Sequence, residues 1–453
     1  MNHGVESFDG YIAGRTGAPR RTVTSGEGSP FLLAFTFPGQ GSQRPGMGAS
    51  WMEHPSFELV GHASEVLGRD VAALLLDADQ ETLTRTENAQ LATFVSSLVV
   101  LDAAERLGVS PGALAGHSLG EYTALVAAGA ISYEDGLFLV QERGAAMQEA
   151  ADARPGSMMA VLGLDDDDVE AVCQRAEAEV WAANFNAPGQ VIISGSPEGL
   201  ERASELAKEA GARRVLSFPV GGAFHTPLMA PARERLRDAL GKVEFREGEP
   251  VVVANVDARA HGDPADWPGL LSAQLASPVR WRQTLGELFE SGARTFVELG
   301  PGGVLTGMAK RTLPESEVQL LSVATPEELE SLVELLAGLE KVELPRVSAG
   351  LEMTERLLVS SATGKFDPAE RFLSAMPRLG ATTASEPIEV AVGDLIGYAG
   401  EEEIRSAFAG SLEGILVLKG ERVVSGQPVA WLRVPVEPAA NRTGGTEMEG
   451  ASA

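Results

Sequence analysis

The sequence predicts an α/β fold that is interrupted by a smaller unit and followed by a small all-β module. An apolar run at 31–37 ends in Pro38-Gly39, which is typical of a buried strand entering a glycine-rich loop. A short strand at 114–115 leads into a serine between two glycines and then into a helix at 119–129. The spacing of apolar residues changes near residue 155 and again near residue 345, which indicates the inserted and appended units.

The α/β pattern accounts for residues 31–154 and resumes over 221–325. Before the serine, residues 90–107 have helical spacing. After the interruption, helices and strands alternate, as in a sheet with helices packed on it. They are predicted at 226–240 (helix), 251–256 (strand), 268–291 (helix), 295–300 (strand) and 303–312 (helix).

Residues 155–220 have a different order of elements, β-α-β-β-α-β. The two middle strands flank Ala187-Pro188-Gly189, which has the composition of a hairpin turn. This order is that of a ferredoxin-like unit. The sequence therefore predicts a small ferredoxin-like subdomain inserted into the larger α/β one.

Composition narrows the class of protein. The 453 residues include 64 acidic and 36 basic ones, a net charge of −28, which disfavours nucleic acid and anionic membrane as partners. No apolar run approaches the length of a membrane-spanning helix. Cys173 is the single cysteine, so no intramolecular disulfide is possible and a cytoplasmic location is expected. Residues 1–30 and 437–453 are predicted to be a disordered leader and tail.

Ser118, in Gly116-His117-Ser118-Leu119-Gly120, is a candidate nucleophile because strand, serine and helix follow one another as in a nucleophile elbow. The alternative is that the two glycines only allow the strand and helix to pack closely. Of the six histidines, His225 is the candidate base, since it follows a strand and precedes a proline-led helix. Backbone N–H groups of Leu119 and Gln40 are candidate donors to an oxyanion.

Arg143 lies on the helix after the elbow helix, 25 residues beyond Ser118, among apolar neighbours. A carboxylate partner is expected for such an arginine, because burying an unpaired guanidinium is costly. That partner is either a protein acid, such as Glu149 or Glu121, or the carboxylate of a substrate.

Seven motifs follow one another in the order found in malonyl-CoA:acyl carrier protein transacylases and polyketide-synthase acyltransferases. They are FPGQGSQ, GHSLGEY, QERGAAMQEA, NFNAPGQVIISG, FHTPLM, SPVRW and ELGPGGVLTGM. The chain resembles this family over about residues 31–315. The resemblance implies an α/β-hydrolase-like large subdomain and no bound cofactor.

The resemblance also implies a role for each matching residue. Ser118 resembles the nucleophile that takes the acyl group, and His225 its base. The carbonyl of Gln274 is expected to orient that histidine, with Asp257 as an alternative orienting group. Arg143 resembles the residue that binds the malonyl carboxylate. The oxyanion donors correspond to Gln40 and Leu119, and the expected substrate-binding residues are Arg143, His117, Phe224 and Asn186.

The implied activity is that of an acyl-carrier-protein S-malonyltransferase in fatty-acid or polyketide synthesis. It would act by a ping-pong mechanism with malonyl-CoA as the first substrate and an acyl carrier protein as a transient partner. In the acyltransferases that the chain resembles, a Phe before the histidine and a small aliphatic residue after the serine accompany malonyl rather than methylmalonyl, and Phe224 and Leu119 fit that pattern. The alternatives are a hydrolase that uses the same site, an acyltransferase for another extender unit, and a non-enzymatic scaffold.

The chain continues for more than a hundred residues beyond the resemblance. We expect a linker helix at 326–350 and, at 351–436, a module that resembles biotinyl/lipoyl domains. The tip where such domains carry their lysine reads Gly400-Glu401-Glu402-Glu403, and Lys419 matches the position poorly. We therefore expect no biotin or lipoate, and a docking role. The basic pairs 213–214 and 310–311 are candidate contacts for an acidic carrier protein.

Overall fold

The computed structural model describes residues 32–107, 109–218 and 220–336. It also describes parts of the C-terminal region, at 353–360, 362–375, 388–407, 409–415, 417, 419–420, 422–423 and 428–435. The predicted leader, the predicted tail and residues 337–350 of the predicted linker lie outside the described residues.

Strands and helices alternate through the first of these parts. The strands are β1 Leu32–Phe37, β2 Ala113–Gly116, β3 Ser157–Leu162, β4 Val180–Ala187, β5 Gln190–Gly195, β6 Arg214–Phe218, β7 Val252–Val253, β8 Ala260–His261, β9 Ala293–Leu299 and β10 Gln319–Val323. The α-helices are α1 Glu58–Leu67, α2 Val71–Leu76, α3 Gln80–Thr84, α4 Thr86–Arg106, α5 Gly120–Ala127, α6 Tyr133–Ala153, α7 Asp166–Arg175, α8 Pro197–Glu209, α9 Ala230–Leu240, α10 Trp267–Gln274, α11 Trp281–Glu290, α12 Val304–Thr312 and α13 Pro326–Leu336.

The central sheet has the strand order β10-β9-β1-β2-β7-β8. All its pairs are parallel except β7 with β8, so the carboxyl ends of five strands meet at one edge. Phe37 at the end of β1 lies beside Gly116 at the end of β2. The glycine-rich loop after β1 and the serine turn after β2 are therefore neighbours at the edge where α/β proteins bind ligands.

Helix α6 carries Arg143 into the core. It begins at a Ser132 cap, whose Oγ accepts the Asp135 N–H at 3.0 Å. The apolar residues around Arg143 are buried and pack in the main core, which α4 also enters. Arg143 is only 1% exposed, so its charge lies within the protein.

A second, antiparallel sheet has the order β4-β5-β3-β6 and is covered by α7 and α8. It has a core of its own, which includes Val161, Val169 and Ile193. Two backbone hydrogen bonds of 2.9 Å, from Phe185 N to Val279 O and from Val279 N to Ala183 O, join β4 to the chain between α10 and α11.

Two elements differ from the prediction. The helix expected at 268–291 is interrupted between α10 and α11, because Pro278 disfavours a helical Ser277 and Val279 pairs with β4 instead. The strand expected at 251–256 is only β7, because the backbone N–H of Asn255 is bonded to the Glu121 side chain rather than to a neighbouring strand.

The C-terminal region contains β11 Met353–Val359, β12 Gly364–Pro368, β13 Ile388–Val390, β14 Leu395–Ala399, β15 Glu402–Arg405, β16 Gly410–Ile415, β17 Arg422–Val423 and β18 Pro428–Pro435. Their sheets have the orders β11-β18-β16-β13 and β15-β14-β12-β17, with antiparallel pairs. Phe366, Ile396 and Leu432 belong to their common core. Gly400, with φ +68°, lies in the turn between β14 and β15.

None of the helices in the described ranges combines the length and the apolar character that crossing a membrane requires.

Candidate active site

Ser118 projects from the sharp turn between β2 and α5. Its φ of +52° is unusual for a residue with a side chain and is seen where surrounding structure imposes it. A Cβ on Gly116 would lie 1.8 Å from the carbonyl oxygen of Gly120, and one on Gly120 would lie 2.0 Å from that of Phe37. Close packing through the two glycines is thus the means by which the turn presents Ser118.

His225 is hydrogen-bonded to Ser118 through one ring nitrogen and to Gln274, at the end of α10, through the other. The Ser118 Oγ and His225 Nε2 atoms are 2.8 Å apart, and His225 Nδ1 lies 2.8 Å from the carbonyl oxygen of Gln274. A carbonyl only accepts, so Nδ1 carries the proton and the lone pair of Nε2 faces the serine hydroxyl. This is the arrangement that a general base requires.

The surroundings of His225 keep its ring neutral. Burial, with a further contribution from the Arg143 guanidinium, lowers the pKa of His225 to about 3, although the hydrogen bond to Gln274 acts in the opposite direction. A neutral imidazole is therefore present at all pH values near neutrality, ready to accept a proton.

Arg143 reaches the nucleophile and is held by neutral side chains. Its Nη2 donates to Ser118 Oγ at 3.0 Å and to Gln274 Oε1 at 2.9 Å, and its Nη1 donates to Gln90 Oε1 at 2.7 Å. Among the described residues, its Nε has no hydrogen-bond partner. Burial lowers the pKa of Arg143, while the nearby Tyr122 and Glu121 raise it.

The two protein acids considered as ion-pair partners of Arg143 bond elsewhere. Glu149 lies 3.3 Å from Arg235 on the outer side of α6. Glu121 is nearer, but its oxygens accept hydrogen bonds from the Asn255 backbone N–H and the Gln274 side chain. The guanidinium thus lies beside Ser118 without a direct carboxylate contact from either residue.

Asp257 was the alternative group for orienting the base. Its Oδ2 lies 3.0 Å from Nε2 of His261, whose Nδ1 is 2.7 Å from Asp266 Oδ2. The Nδ1 atom of His225 is bonded to the Gln274 carbonyl instead. Asp257 therefore belongs to a separate buried cluster at the turn between β7 and β8.

The N–H group of Leu119 lies between N–H groups that donate hydrogen bonds within the protein. The N–H groups of Ser118, Gly120 and Glu121 donate within the protein, to Asn255 Oδ1, His117 O and Ser118 O. The loop that carries Gln40 lies against the same turn, since a Cβ on Gly39 would be 2.4 Å from the His117 carbonyl oxygen. Gln40 and Leu119 are thus brought to one edge of the site.

The remaining predicted residues surround this centre. His117 Nε2 lies 2.8 Å from Asn186 Oδ1, which connects the elbow to the end of β4. Burial lowers the pKa of His117. Phe224 is buried beside His225, with its ring next to Gly222. In the described part of the chain, no group of three or more His, Cys, Asp or Glu side chains is arranged to hold a metal ion.

The comparisons with known proteins agree in covering this part of the chain. Residues 34–347 match the family model described as "Acyl transferase domain". The chain belongs to the acyl transferase family. One relative, "Malonyl CoA-acyl carrier protein transacylase" of Bacillus subtilis (strain 168), is 41% identical over 309 residues, which are 67% of this chain and 97% of the relative.

Solved structures of acyltransferases superpose on the same region. The crystal structure of an acyl-carrier-protein S-malonyltransferase from Burkholderia pseudomallei 1710b is 41% identical, with a TM-score of 0.65, and covers 67% of this chain and 100% of its own. A "type II PKS acyl-carrier protein in complex with its malonyl-transacylase" is 37% identical, with a TM-score of 0.65, over 67% of this chain and 99% of its own.

Two residues of this acyltransferase site were not predicted from the sequence, Gln90 and Asn255. Gln90 is fully buried in α4 and holds Arg143. Asn255 holds the backbone of the elbow from β7. Helix α4 contains several other buried polar residues, so no pattern in the sequence singles out Gln90. Asn255 is 137 residues from Ser118, and its contact follows only from the order of the strands.

Proposed function

We propose that this acyltransferase transfers a malonyl group from malonyl-CoA to the phosphopantetheine thiol of an acyl carrier protein, through an ester on Ser118 (EC 2.3.1.39). One observation carries the proposal. A buried guanidinium, that of Arg143, lies 3.0 Å from the Ser118 Oγ and is bonded to neutral side chains. In a malonyl ester, a single methylene separates the carboxylate from the ester carbonyl, so the carboxylate falls within reach of this cation.

The first half-reaction loads the enzyme. Ser118 Oγ attacks the thioester carbonyl of malonyl-CoA while its proton passes to His225 Nε2. The negative charge that develops on the carbonyl oxygen is stabilised by the N–H groups of Leu119 and Gln40. The C–S bond then breaks, and the CoA sulfur leaves with the proton that His225 returns.

The second half-reaction repeats these steps with a new thiol. The phosphopantetheine thiol gives its proton to His225 Nε2 and attacks the ester carbonyl, and Ser118 Oγ leaves with that proton. The Gln274 carbonyl stabilises the charged imidazolium in both directions, because it accepts the Nδ1 hydrogen bond throughout. The imidazolium is otherwise disfavoured by burial and by Arg143, so it persists only while the oxyanion is present.

The site favours a short acyl group that ends in a carboxylate. Arg143 offers parallel N–H donors, which suit bidentate binding of a carboxylate. Phe224 before the base and Leu119 after the nucleophile are the bulky and aliphatic residues that we associate with malonyl rather than a branched extender. His117 and Asn186 line the approach from the second sheet.

Intact-mass measurement after mixing with malonyl-CoA tests the proposal. Wild type should gain one malonyl group and Ser118→Ala none. Arg143→Ala should slow malonyl loading by about 100-fold or more, as expected for loss of one partner of a buried ion pair, while loading acetyl-CoA better than wild type does. Arg235→Ala, which removes an exposed arginine from the ion pairs with α6, is the matched control and should load at the wild-type rate. Rapid release of free malonate would instead support a hydrolase.

We further propose that the carrier protein docks at a basic edge of the second sheet. Arg214 lies opposite Leu162 in the register of β6 with β3, and Leu162 lies opposite Gln190. Gln190 in turn accepts a hydrogen bond of 2.5 Å from Arg311 of α12, so the arginines at 213, 214 and 311 share one edge. In a chain with a net charge of −28, such an edge is suited to an acidic partner. Lys310 contributes less because it pairs with Glu315.

The finer domain description is also part of the proposal. We infer an α/β-hydrolase-like large subdomain at 31–154 and 221–325, a ferredoxin-like one at 155–220, and a biotinyl/lipoyl-like module at 351–436. The two antiparallel sheets around one core support the last of these. Its hairpin tip at 400–403 lacks a lysine, so we expect it to be unmodified and to serve in docking. Its Arg422 donates to the Ala178 carbonyl at 3.0 Å, next to α7.

A further inference from the structure

The nucleophile turn contains a strained backbone that needs support. Both Ser118 (φ +52°) and His225 (φ +59°) have left-handed conformations, which are strained for a residue with a side chain. Such conformations persist only where the surrounding structure determines them. The groups that hold these two residues therefore decide how accurately the Ser118 hydroxyl meets the His225 ring.

Asn255 holds both sides of the turn with one side chain. Its Oδ1 accepts the Ser118 N–H at 2.6 Å, and its Nδ2 donates to the Gly116 carbonyl at 2.7 Å. Asn255 is fully buried, so water does not compete for these bonds. The Asn255 side chain thus supplies hydrogen bonds to the backbone of the turn beyond the end of β7, where strand pairing no longer does.

Glu121 links Asn255 to the residue that orients the base. Its Oε1 accepts the backbone N–H of Asn255 at 2.6 Å, and its Oε2 accepts a hydrogen bond from Gln274 Nε2. Gln274 Nε2 also donates to the Ser118 carbonyl at 2.9 Å. One carboxyl group therefore connects the support of the nucleophile to the support of His225 and Arg143.

The environment of Glu121 is costly for a carboxylate. The residue is 1% exposed, and burial raises its pKa to about 8 although the hydrogen bonds from Asn255 and Gln274 lower it. An apolar residue of similar size would avoid this cost but would leave the Asn255 N–H without an acceptor and would remove one of the two acceptors of Gln274 Nε2. The presence of a carboxyl group here is explained by its two hydrogen bonds, one from Asn255, which holds the turn of Ser118, and one from Gln274, which holds His225 and Arg143.

We propose that Glu121 and Asn255 are positioning residues that fix the Ser118 hydroxyl relative to His225 during acyl transfer. The inference rests on the proposed function, since it assumes that Ser118 is the nucleophile. It assigns neither residue a contact with the substrate. Glu121 acts through the backbone of Asn255 and the side chain of Gln274, and Asn255 acts through the backbone of the turn.

The rate and the half-saturating concentration of malonyl loading distinguish positioning from substrate binding. Asn255→Ala should lower the loading rate at saturating malonyl-CoA by up to about 100-fold, which is the cost of a misplacement of about 1 Å. Its half-saturating concentration should change little, because Gln90 and Gln274 still hold the Arg143 guanidinium. In Glu121→Gln, the new amide NH2 group faces either the Asn255 N–H or Gln274 Nε2, so one of the two hydrogen bonds is lost. This variant should show the same pattern with a smaller loss of rate.

Glu298→Gln is the matched control. Glu298 is also 1% exposed, and its Oε2 accepts hydrogen bonds from the N–H and hydroxyl of Thr306, at the start of α12. This variant should lose thermal stability but keep the wild-type loading rate per folded molecule. If Asn255→Ala does not fold, Asn255→Asp keeps the acceptor for the Ser118 N–H and should show an intermediate loss of rate.

A fluorophosphonate probe that labels activated serines separates the possible failures. If wild type is labelled neither by malonyl-CoA nor by the probe, the proposed function fails. If wild type is labelled but Asn255→Ala and Glu121→Gln react at its rate, or lose rate only in proportion to their unfolded fraction, the positioning role is wrong. Slower labelling by both reagents in folded variants supports it.

Discussion

His225 and His261 are both buried, 5% and 8% exposed, yet their surroundings favour opposite charges. His225 faces a hydroxyl, a carbonyl and the Arg143 cation, and burial together with that cation lowers its pKa to about 3. Burial also acts to lower the pKa of His261, but the carboxylates of Asp257 and Asp266 outweigh it and raise the pKa to about 10. The partners, rather than burial, decide whether a buried histidine is a base or a structural cation.

The difference explains why only one of the two is suited to catalysis. A neutral His225 can accept a proton and return it within each half-reaction. His261 holds its proton between two carboxylates and connects β8 to α10, the helix that ends in Gln274. One histidine is therefore suited to proton transfer, and the other stabilises the element that orients the first.

The largest effect that should separate the two histidines is on catalysis. We expect His225→Ala to slow malonyl loading by about 10²–10⁴-fold, because the serine loses its general base. The variant should remain folded, which circular dichroism checks by comparison with wild type. His261→Gln, measured in the same rapid-quench assay, should load at a rate near that of wild type at a temperature where it is folded. Equal losses in the two variants would contradict the division of roles.

Stability should show the reverse order. His261→Ala leaves two buried carboxylates facing each other without their cation, and we expect a loss of about 3–5 kcal/mol in the free energy of unfolding, the range for breaking a buried ion pair. His225→Ala should cost less, because the ring it removes carries no charge. Urea denaturation at pH 7 measures both. A His261→Ala variant as stable as His225→Ala would show that the buried cluster is not ionic.

The residues around Ser118 were more predictable from the sequence than the cluster of His261 with its two carboxylates. Ser118, His225, Arg143 and the Gln274 carbonyl come together in the structure. Local patterns single out Ser118, His225 and Arg143, whereas the Gln274 carbonyl follows only from the family resemblance. His261, one of the six histidines, lies in no such pattern, and Asp257 is considered only as an alternative partner of His225. The pairing of Asp257 with His261 depends on the β7–β8 turn, where Ala258 has φ +56°.

The contacts that were not predicted are those between distant segments. Asn255 reaches Ser118 across 137 residues, and Glu121 reaches Gln274 across 153. Both depend on β7 lying beside β2 and on α10 ending near α5, which the spacing of apolar residues does not specify. The break between α10 and α11 has the same origin, since Val279 leaves helical structure to pair with β4.

The pH dependence of loading tests the neutral state of His225. Since the folded pKa of His225 is lowered to about 3, kcat/KM for malonyl-CoA should show no loss of activity from a protonated base as the pH falls through 6.5. In Arg143→Gln, assayed with acetyl-CoA, the nearby positive charge is absent and the pKa of His225 should rise. The acid limb of the profile should move to higher pH in that variant. An acid limb near 6.5 in wild type would show that His225 is accessible to water.

The smallest effect concerns the high-pH limit of stability. The pKa of His261 is raised on folding, so its stabilising contribution is full below the unfolded pKa near 6.5 and is lost as the pH rises through about 10. Asp266→Asn removes one of the two carboxylates and lowers the folded pKa. The stability of this variant should therefore begin to fall at lower pH than that of wild type, while malonyl loading at pH 7 stays the same. Urea midpoints between pH 7 and 10 measure the shift, and Asp263→Asn, which changes a half-buried carboxylate in the same turn, is the comparison variant. Parallel curves for wild type and Asp266→Asn would show that Asp257 alone holds the charge of His261.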